Sequence, residues 1–458
     1  MNILVFNGSP SGKDSVTLRF AQYLEKQHPE HSFSFEPIAA KLRTLETKPE
    51  AWDALMTQID NADLILWAFG VYVYLVPAPV KRFIELLFER EPKRMRGKYT
   101  AAISTSIHFY DTTAHDYLRA IADDLDMRYL GAWSGTAGAL LNDAQRMQFL
   151  RQTERFLRDA SAHAPTQKAT APIVPNTFVY TPQSEPIAIP TNGKRILLLT
   201  DEREGDNLSR MTERVQKILP GVEVVNLWDA RILGGCLGCF QCTFDHQCVY
   251  GDKDDIKTIY NEKITNADIV LYAGNITDRY LSARWKLFID RRFMNNHTPF
   301  LAGKQLGVLL SGAFSGCDAL KRFLRAEAEV NDGNLAGIVT DENVTSAELD
   351  NLLDTFCKDL IEKATTGEQN PPSFDGIGGK KLFRDEMYGQ LRFVFRADHA
   401  YYKAHGWYDF PQNDRQTMMK NRIAIALTDS PKVRGVIRKE MRKRMLEPYD
   451  KFLEENEV

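Results

Sequence analysis

The chain has no apolar run near the roughly 20 residues that a membrane-spanning helix needs, so no span is expected. It also lacks a basic excess: a net charge of -3 over 458 residues argues against a protein built to neutralise nucleic-acid phosphates. No basic leader or cleavage site precedes the apolar run at Ile3, and a cytoplasmic protein is the expectation. Pyridine-nucleotide fingerprints are absent. Cysteine is scarce, and the six present are too clustered for a disulfide framework in a chain of this size; they read as a metal or redox site. What the chain does have is an ordinary globular composition, 43% hydrophobic and 26% charged, enough for two or three cores.

Four of the six cysteines fall between Cys236 and Cys248 in the spacing C-x2-C-x2-C-x5-C. Three thiols on one tight turn and a fourth after a short loop suit a cubane 4Fe-4S cluster held by Cys236, Cys239, Cys242 and Cys248. A closed zinc site more often takes two separated pairs. Buried or redox-paired thiols without metal are the remaining alternative.

The first 160 residues alternate strands with helices. Ile3 to Phe6 is an apolar strand, followed by a polar loop from Gly8 to Thr17 and a helical pattern through Leu18, Ala21 and Leu24. Strand, loop, helix is the order that makes an anion site, with backbone N–H groups and the helix N-terminus facing the ligand. Ser9, Ser11, Ser15 and Thr17 supply four hydroxyls there; an ordinary loop with Asp14 or Ser15 as N-cap is the plainer alternative. Leu64 to Phe69 reads as a buried strand leading into Gly70, Val71, Tyr72, Val73 and Tyr74, then a helix entered through Pro77 and Pro79. Ala101 to Thr105 is another strand, with Ser104, Thr105 and Ser106 at its end, and Arg128 to Trp133 a further one. The three polar loops share the carboxyl edge of a doubly wound parallel sheet, where such sheets bind ligands.

Residues 161–193 hold six prolines and no helical period, and read as an extended linker. The pattern then restarts over 194–368: strands at 194–200, 222–227, 306–311 and 335–340 alternate with helices, and the cysteine loop follows the second strand. Asn61-Ala62-Asp63 recurs as Asn266-Ala267-Asp268, and Lys81, Phe83 and Ile84 recur as Lys286, Phe288 and Ile289, all at an offset of 205. The expected architecture is α/β, with two tandem flavodoxin-like five-stranded sheets followed over 369–458 by a mainly helical extension. That extension carries nine aromatics between Phe383 and Phe410, expected to cover one or both sheet units, and then a basic helical run.

These residues resemble the flavodoxin-like, NAD(P)H-dependent FMN reductase superfamily, and the second half resembles its iron-sulfur flavoprotein branch. The resemblance rests on Gly8-Ser9-Pro10 with Ser15 and Thr17, on Phe69 to Tyr74 with Pro77 to Phe83, on the four-cysteine spacing, and on Ser282, Lys286 and Phe288 to Arg291. It implies FMN held at its phosphate by Ser9, Ser11, Ser15 and Thr17 and at its ring by Gly70, Val71, Tyr72, Ser104, Thr105 and Ser106. It also implies a 4Fe-4S cluster on the four cysteines, NAD(P)H as donor and a small-molecule electron acceptor. A ferredoxin partner and a homo-oligomer stay open. The second unit departs from the pattern: its phosphate loop, Thr200 to Asn207, has four carboxylates against one guanidinium. A carboxylate about 6 Å from a phosphate costs roughly 3 kcal/mol at an effective dielectric near 20, so FMN is not expected there. The result is an intramolecular pseudo-dimer in which one unit keeps FMN and the other the cluster. A metal-free quinone or nitro reductase, an electron carrier and a scaffold of degenerate units are the competing functions. No catalytic acid or base is assigned.

Overall fold

A computed structural model describes residues 1–428 and 430–455, so the extension expected over 369–458 includes positions outside the described residues. The first half runs β1 (Asn2–Asn7), α1 (Val16–Gln27), β2 (Ser32–Glu36), α2 (Ile38–Thr47), α3 (Pro49–Asn61), β3 (Leu64–Gly70), α4 (Ala78–Arg90), β4 (Tyr99–Thr105), α5 (Asp111–Asp124), β5 (Arg128–Gly135) and α6 (Asp143–Ser161). Its sheet is parallel throughout, in the order β2-β1-β3-β4-β5. The central strands β1 and β3 are buried nearly end to end, as a sheet covered by helices on both faces requires. This order reverses direction beside β1, which opens a crevice at the ends of β1, β3 and β4.

The second half repeats the plan with β6 (Ile196–Thr200), α7 (Asn207–Ile218), β7 (Glu223–Asn226), α8 (Ile256–Thr258, continued as a π-helix to Ile264), β8 (Ile269–Asn275), α9 (Ala283–Arg291), β9 (Gln305–Ser311), α10 (Asp318–Val330), β10 (Asn334–Thr340) and α11 (Ser346–Thr366). Read from β7 to β10 its parallel sheet has the same order as the first. Between β7 and α8 the chain is irregular, and this stretch carries the four cysteines.

Helices α4 and α9 pack on each other, and one apolar core passes from Trp67 and Phe83 in the first half to Trp285 and Phe288 in the second. The two sheets therefore belong to a single compact unit, Met1–His399. The centre of the seam is ionic. Lys81 lies 2.7 Å from Glu85 and 3.0 Å from Asp278, while Lys286 pairs with Asp290 and donates to the Tyr72 carbonyl at 2.8 Å.

The proline-rich stretch has no helix or strand over 164–193, as its composition predicts, yet it is not a free tether. Tyr180 is fully buried with its hydroxyl 2.7 Å from Asp350, and the N–H groups of Gln183 and Ser184 donate to that carboxylate at 2.9 Å. Nearer its start, the Ala169 and Thr170 N–H groups donate to Asp123 at 2.9 Å. Backbone donors that no secondary structure satisfies are met here by side chains.

After α11 come α12 (Phe374–Tyr388), α13 (Arg396–Ala404), α14 (Arg415–Thr428) and α15 (Pro431–Glu455). The expected aromatic cover is divided. Phe383 and Phe395 are buried within the large unit, Phe383 lying 4.3 Å from Phe109, whereas Tyr388 and Phe393 are exposed. Residues 400–458 cluster as a second unit in which α14 packs on α15. Lys432, Arg434, Arg438, Lys439, Lys443 and Arg444 are exposed, the solvated face expected of a basic run. Among the described residues no helix is long and apolar enough to cross a membrane.

Candidate active site

The loop after β1 is shaped by close approach. A Cβ on Gly8 would lie 2.5 Å from the Val80 side chain, so only glycine lets the chain pass α4 while its N–H reaches the Ala68 carbonyl at 2.8 Å. The Asn7 side chain ties the loop down, donating to the Gly12 carbonyl at 2.8 Å and accepting from the Ser9 N–H at 3.1 Å. Ser15 is the N-cap of α1, its hydroxyl accepting from the Leu18 N–H at 3.2 Å. Val16 and Thr17 open the helix, and N–H groups in a first turn have no partner within the helix, so they and the macrodipole favour an anion. The Thr17 and Thr105 hydroxyls are 2.6 Å apart, which pins the end of β4 to α1.

The loop after β3 closes as a tight turn. Tyr72 N–H donates to Leu75 O at 2.9 Å, Leu75 N–H returns to Tyr72 O at 3.1 Å, and Val71 N–H donates to Thr105 O at 3.0 Å. Val73 and Tyr74 hold positive φ, at 38° and 67°. Left-handed backbone at a branched and then a bulky residue is strained, and such strain gathers at functional sites. Burial above all raises the Tyr72 phenol well above its usual range, so it remains a donor.

Across this crevice lies the cysteine loop. A cavity of about 450 Å³ is lined on one side by Ser9, Ser11, Ser15, Thr17, Gly70, Val71, Tyr72 and Thr105, and on the other by Cys236, Cys239, Cys242 and Cys248. The walls touch: Ser11 Oγ donates to Leu237 O at 3.2 Å, and a Cβ on Gly238, whose φ is +65°, would meet the Tyr72 hydroxyl at 2.2 Å. Two of the residues expected here are placed elsewhere. Ser104 is fully buried with its hydroxyl 2.8 Å from His115 Nε2, and Ser106 faces the neighbouring cavity, its hydroxyl accepting from the His108 N–H at 2.9 Å. Side chains alternate along β4, so Ser104 and Thr105 cannot face the same way.

All four cysteines are free thiols. Burial pushes Cys236 up to about 12 and Cys242 likewise to about 12, with the neighbouring thiols contributing to both. Arg291 Nη2 is 3.6 Å from Cys248 Sγ, held by an ion pair to buried Asp254 at 2.7 Å and lying 3.9 Å over the Tyr250 ring. Among the described residues no group of three or more His, Cys, Asp or Glu side chains is arranged to hold a metal ion. A single tetrahedral ion draws four sulfurs to about 2.3 Å from one centre, whereas a cubane spreads them over its corners. Four thiols around one partly buried cavity, with a guanidinium at one of them, have the donor chemistry of a cluster site and lack the closure of a zinc site.

Sequence reasoning did not single out the clamp behind this loop. Asp398, fully buried, lies 3.1 Å from His246 Nε2 and 2.7 Å from His297 Nδ1. His246 sits inside the cysteine loop, but its partner is 152 residues away and no local pattern signals the pairing.

In the second half the corresponding loop is filled by the chain's own carboxylates. Asp206 caps α7, accepting from Ser209 N–H at 2.7 Å, where Ser15 caps α1. Asp201 stands where Gly8 stands, its N–H directed to Ala273 O as that of Gly8 is to Ala68 O. Its carboxylate accepts from Ser282 Oγ at 2.5 Å and Asn275 N–H at 2.9 Å. The loop thus carries two carboxylates, Asp201 and Asp206, where the first half has Gly8 and Ser15.

Residues 1–139 match the family described as NADPH-dependent FMN reductase. That span ends just after β5 and contains every serine and threonine of the crevice; the cysteine loop lies outside it. Among solved structures, the chain is similar to FerB, a flavoenzyme NAD(P)H:(acceptor) oxidoreductase from Paracoccus denitrificans, at 17% identity over 35% of this chain and 98% of that one, with a TM-score of 0.29. It is also similar to general stress protein 14 from Treponema denticola in complex with FMN, at 15% identity over 35% and 97%, with a TM-score of 0.26. A third is an FMN-dependent NADH-azoreductase from Bacillus anthracis, at 14% identity over 36% and 100%, with a TM-score of 0.25. No curated protein matches the chain.

Proposed function

We propose that the protein is an FMN-dependent oxidoreductase linked to NAD(P)H, with FMN in the crevice of the first half and a 4Fe-4S cluster on the cysteine loop. The observation that carries this is the shared cavity: the hydroxyl-rich loop at the N-terminus of α1 and the four thiols line opposite walls of one space. The family match over 1–139 supports the flavin half of the reading, and the thiol donor set supports the cluster half. The offset of 205 and the matching strand orders support a fused pair of related units, one specialised for each group.

Bound flavin supplies hydride and single-electron chemistry, and a cluster supplies single electrons. The chain's residues do the rest. The first turn of α1 with Ser9, Ser11, Ser15 and Thr17 holds the phosphate. The turn from Gly70 to Tyr72 positions the ring, and Thr105 braces that turn through its carbonyl to Val71 N–H at 3.0 Å. Tyr72 stays protonated and offers a hydrogen bond. Arg291 stabilises negative charge on Cys248, and burial of Cys236 and Cys242 keeps water from the sulfurs. Electrons come from NAD(P)H or a ferredoxin-like carrier and leave to a small organic acceptor.

A second reading is a metal-free reductase whose thiols simply roof the flavin, and burial that favours the protonated form of Cys236 and Cys242 supports it. Anaerobic purification with an absorbance spectrum, iron and labile-sulfide analysis and a turnover assay with NAD(P)H separates the two. Flavin bands with a broad shoulder and about four irons per chain support the first; flavin without iron supports the second. A protein with neither defeats both.

A further inference from the structure

Arg291 closes α9 and lines the shared cavity, yet it is only 2% exposed. A guanidinium has five N–H donors in one plane, and here the destination of each can be followed. Nη1 donates to Asp254 at 2.7 Å and to the Gly234 carbonyl at 3.0 Å, while Nη2 donates to Asp254 at 3.2 Å and to Cys248 Sγ at 3.6 Å. The fifth donor, Nε–H, is buried and has no partner. Asp254 takes one proton from each terminal nitrogen and so meets the guanidinium end-on. Planarity then puts the Nη2 proton that goes to Cys248 on the same edge as Nε–H.

Two further contacts fix this placement. The Tyr250 ring lies 3.9 Å from the guanidinium carbon, with its hydroxyl tied to the Gly235 carbonyl at 3.2 Å, and buried Asp254 accepts from the Leu233 N–H at 3.3 Å. A buried donor left without a partner is costly unless something held in the cavity satisfies it. The internal repeat ties this residue to the thiols. At the offset of 205, Lys81, Phe83 and Ile84 return as Lys286, Phe288 and Ile289, and acidic Glu85 returns as Asp290, but the next position changes from buried Leu86 to Arg291. At this position the half without a cysteine loop has an apolar side chain, and the half with one has a cation.

We propose that Arg291 is a tuning residue for a cluster on the cysteine loop: the edge carrying Nε–H and the free Nη2 proton donates to the Cys248 sulfur and the group bound there, and makes that group easier to reduce. The proposal rests on the cluster reading above. One-electron reduction adds a unit of negative charge, makes and breaks no bond in the chain, and draws its electron from the flavin or from a one-electron carrier. Sulfur shares the added charge, so N–H donors held against it favour the reduced form. Arg291 and Asp254 together carry no net charge. Their influence is therefore directional, with the cation in contact with the sulfur and the carboxylate held on another edge of the guanidinium.

The test is a potentiometric titration of the full-length protein, purified anaerobically and reconstituted with iron and sulfide, followed by absorbance and by electron paramagnetic resonance of the reduced sample. Iron, sulfide and flavin are assayed in the same preparation. Arg291→Met combined with Asp254→Asn removes the pair without changing net charge or leaving a buried ion alone. It should keep its iron and shift the midpoint to more negative potential by about tenfold in the reduction equilibrium, or about 59 mV for one electron. Arg291→Lys keeps the charge but not the planar edge, and should shift the midpoint in the same direction by less. Should the double variant fail to fold, the sign of the Arg291→Lys shift decides alone. A midpoint that stays in place or moves positive in iron-replete variants overturns the proposal, because Arg291 would then only brace Asp254 and Gly234. Iron lost from both folded variants overturns it too, since the residue would then hold the group and not tune it. An unaltered protein that takes up no iron on reconstitution sinks the cluster reading itself, and the proposal falls with it.

Discussion

The Glu85 carboxylate accepts a hydrogen bond from the Ala283 N–H at 2.6 Å, and the Asp290 carboxylate accepts one from the Ala78 N–H at 2.8 Å. Each bond joins one half to the first residue of the other half's helix, and both pairs of counterparts are 205 positions apart. Such reciprocity is the signature of an isologous two-fold interface; here it lies within one chain. Carboxylates at helix N-termini are favourable in themselves. The seam thus fixes α4 against α9, and with them the crevice loop that precedes α4 and Arg291 at the end of α9.

Lys81 tests that seam. It is fully buried between Glu85 and Asp278, with the Glu85 carboxyl held below its usual range largely by this lysine against the opposing effect of burial. Lys81→Met leaves buried Asp278 without its cation and Glu85 with only Arg82, at 3.1 Å, and should cost about 3–5 kcal/mol of stability in guanidinium unfolding. Adding Glu85→Gln should recover part of the loss. A midpoint unmoved by Lys81→Met would mean that apolar packing alone holds the halves.

Asp201 gives a pH dependence of known sign. Burial raises its carboxyl in the folded protein to about 6, from the 3.8 of an ordinary aspartate. Between those values the folded protein holds a proton that the unfolded chain has released, so stability falls as pH rises from about 4 to 6 and is level above. A rise of that size in proton affinity is worth about 3 kcal/mol at most. Asp201→Asn can still accept from Asn275 N–H and donate to Ser282 Oγ, but has no charge to bury. Its unfolding free energy should therefore gain on that of the unaltered protein across this window. Parallel stability curves from pH 4 to 7 would show that Asp201 does not titrate in the fold.

The sheets were legible because their signals are local: buried apolar runs such as Leu64–Phe69, the glycine-serine turn at residue 8, and the repeat of Lys81, Phe83 and Ile84 as Lys286, Phe288 and Ile289. The cysteines announced themselves by spacing. Composition marked 161–193 as a linker, but could not foresee that Tyr180 would bury itself against Asp350, a contact across 170 residues. Nor could it foresee that Asp398 would hold His246, or that Phe383 and Phe395 would wall a chamber beside the crevice. Ser104, Thr105 and Ser106 are adjacent in sequence, but alternation along β4 turns Ser104 away from Thr105, and Ser106 lies past the strand's end in the turn toward His108.

Cys239 is the exposed member of the four, so its replacement disturbs packing least. Cys239→Ser should leave thermal stability nearly unchanged in metal-free protein, lower iron and sulfide content severalfold, and spare the flavin bands. If flavin is lost with the iron, the two groups are coupled through the contact of Ser11 with Leu237 and the sharing of one cavity. If iron is unaffected, the loop is not its ligand.

Ser15 serves two purposes that one substitution can separate. As N-cap it satisfies the Leu18 N–H, and its removal to alanine should cost about 1 kcal/mol through the helix alone. Aspartate is as good an N-cap, and the chain itself uses Asp206 for that purpose on α7. Ser15→Asp should therefore hold stability within about 0.5 kcal/mol of the unaltered protein. It would also place a carboxylate where the phosphate of FMN is expected, a repulsion of roughly 3 kcal/mol, or a loss of affinity of about 100-fold. Flavin retention after gel filtration and a titration of the apoprotein with FMN read the second effect independently of the first. Full flavin content in a stable Ser15→Asp protein would move the phosphate away from α1 and remove the reason for assigning FMN to this crevice.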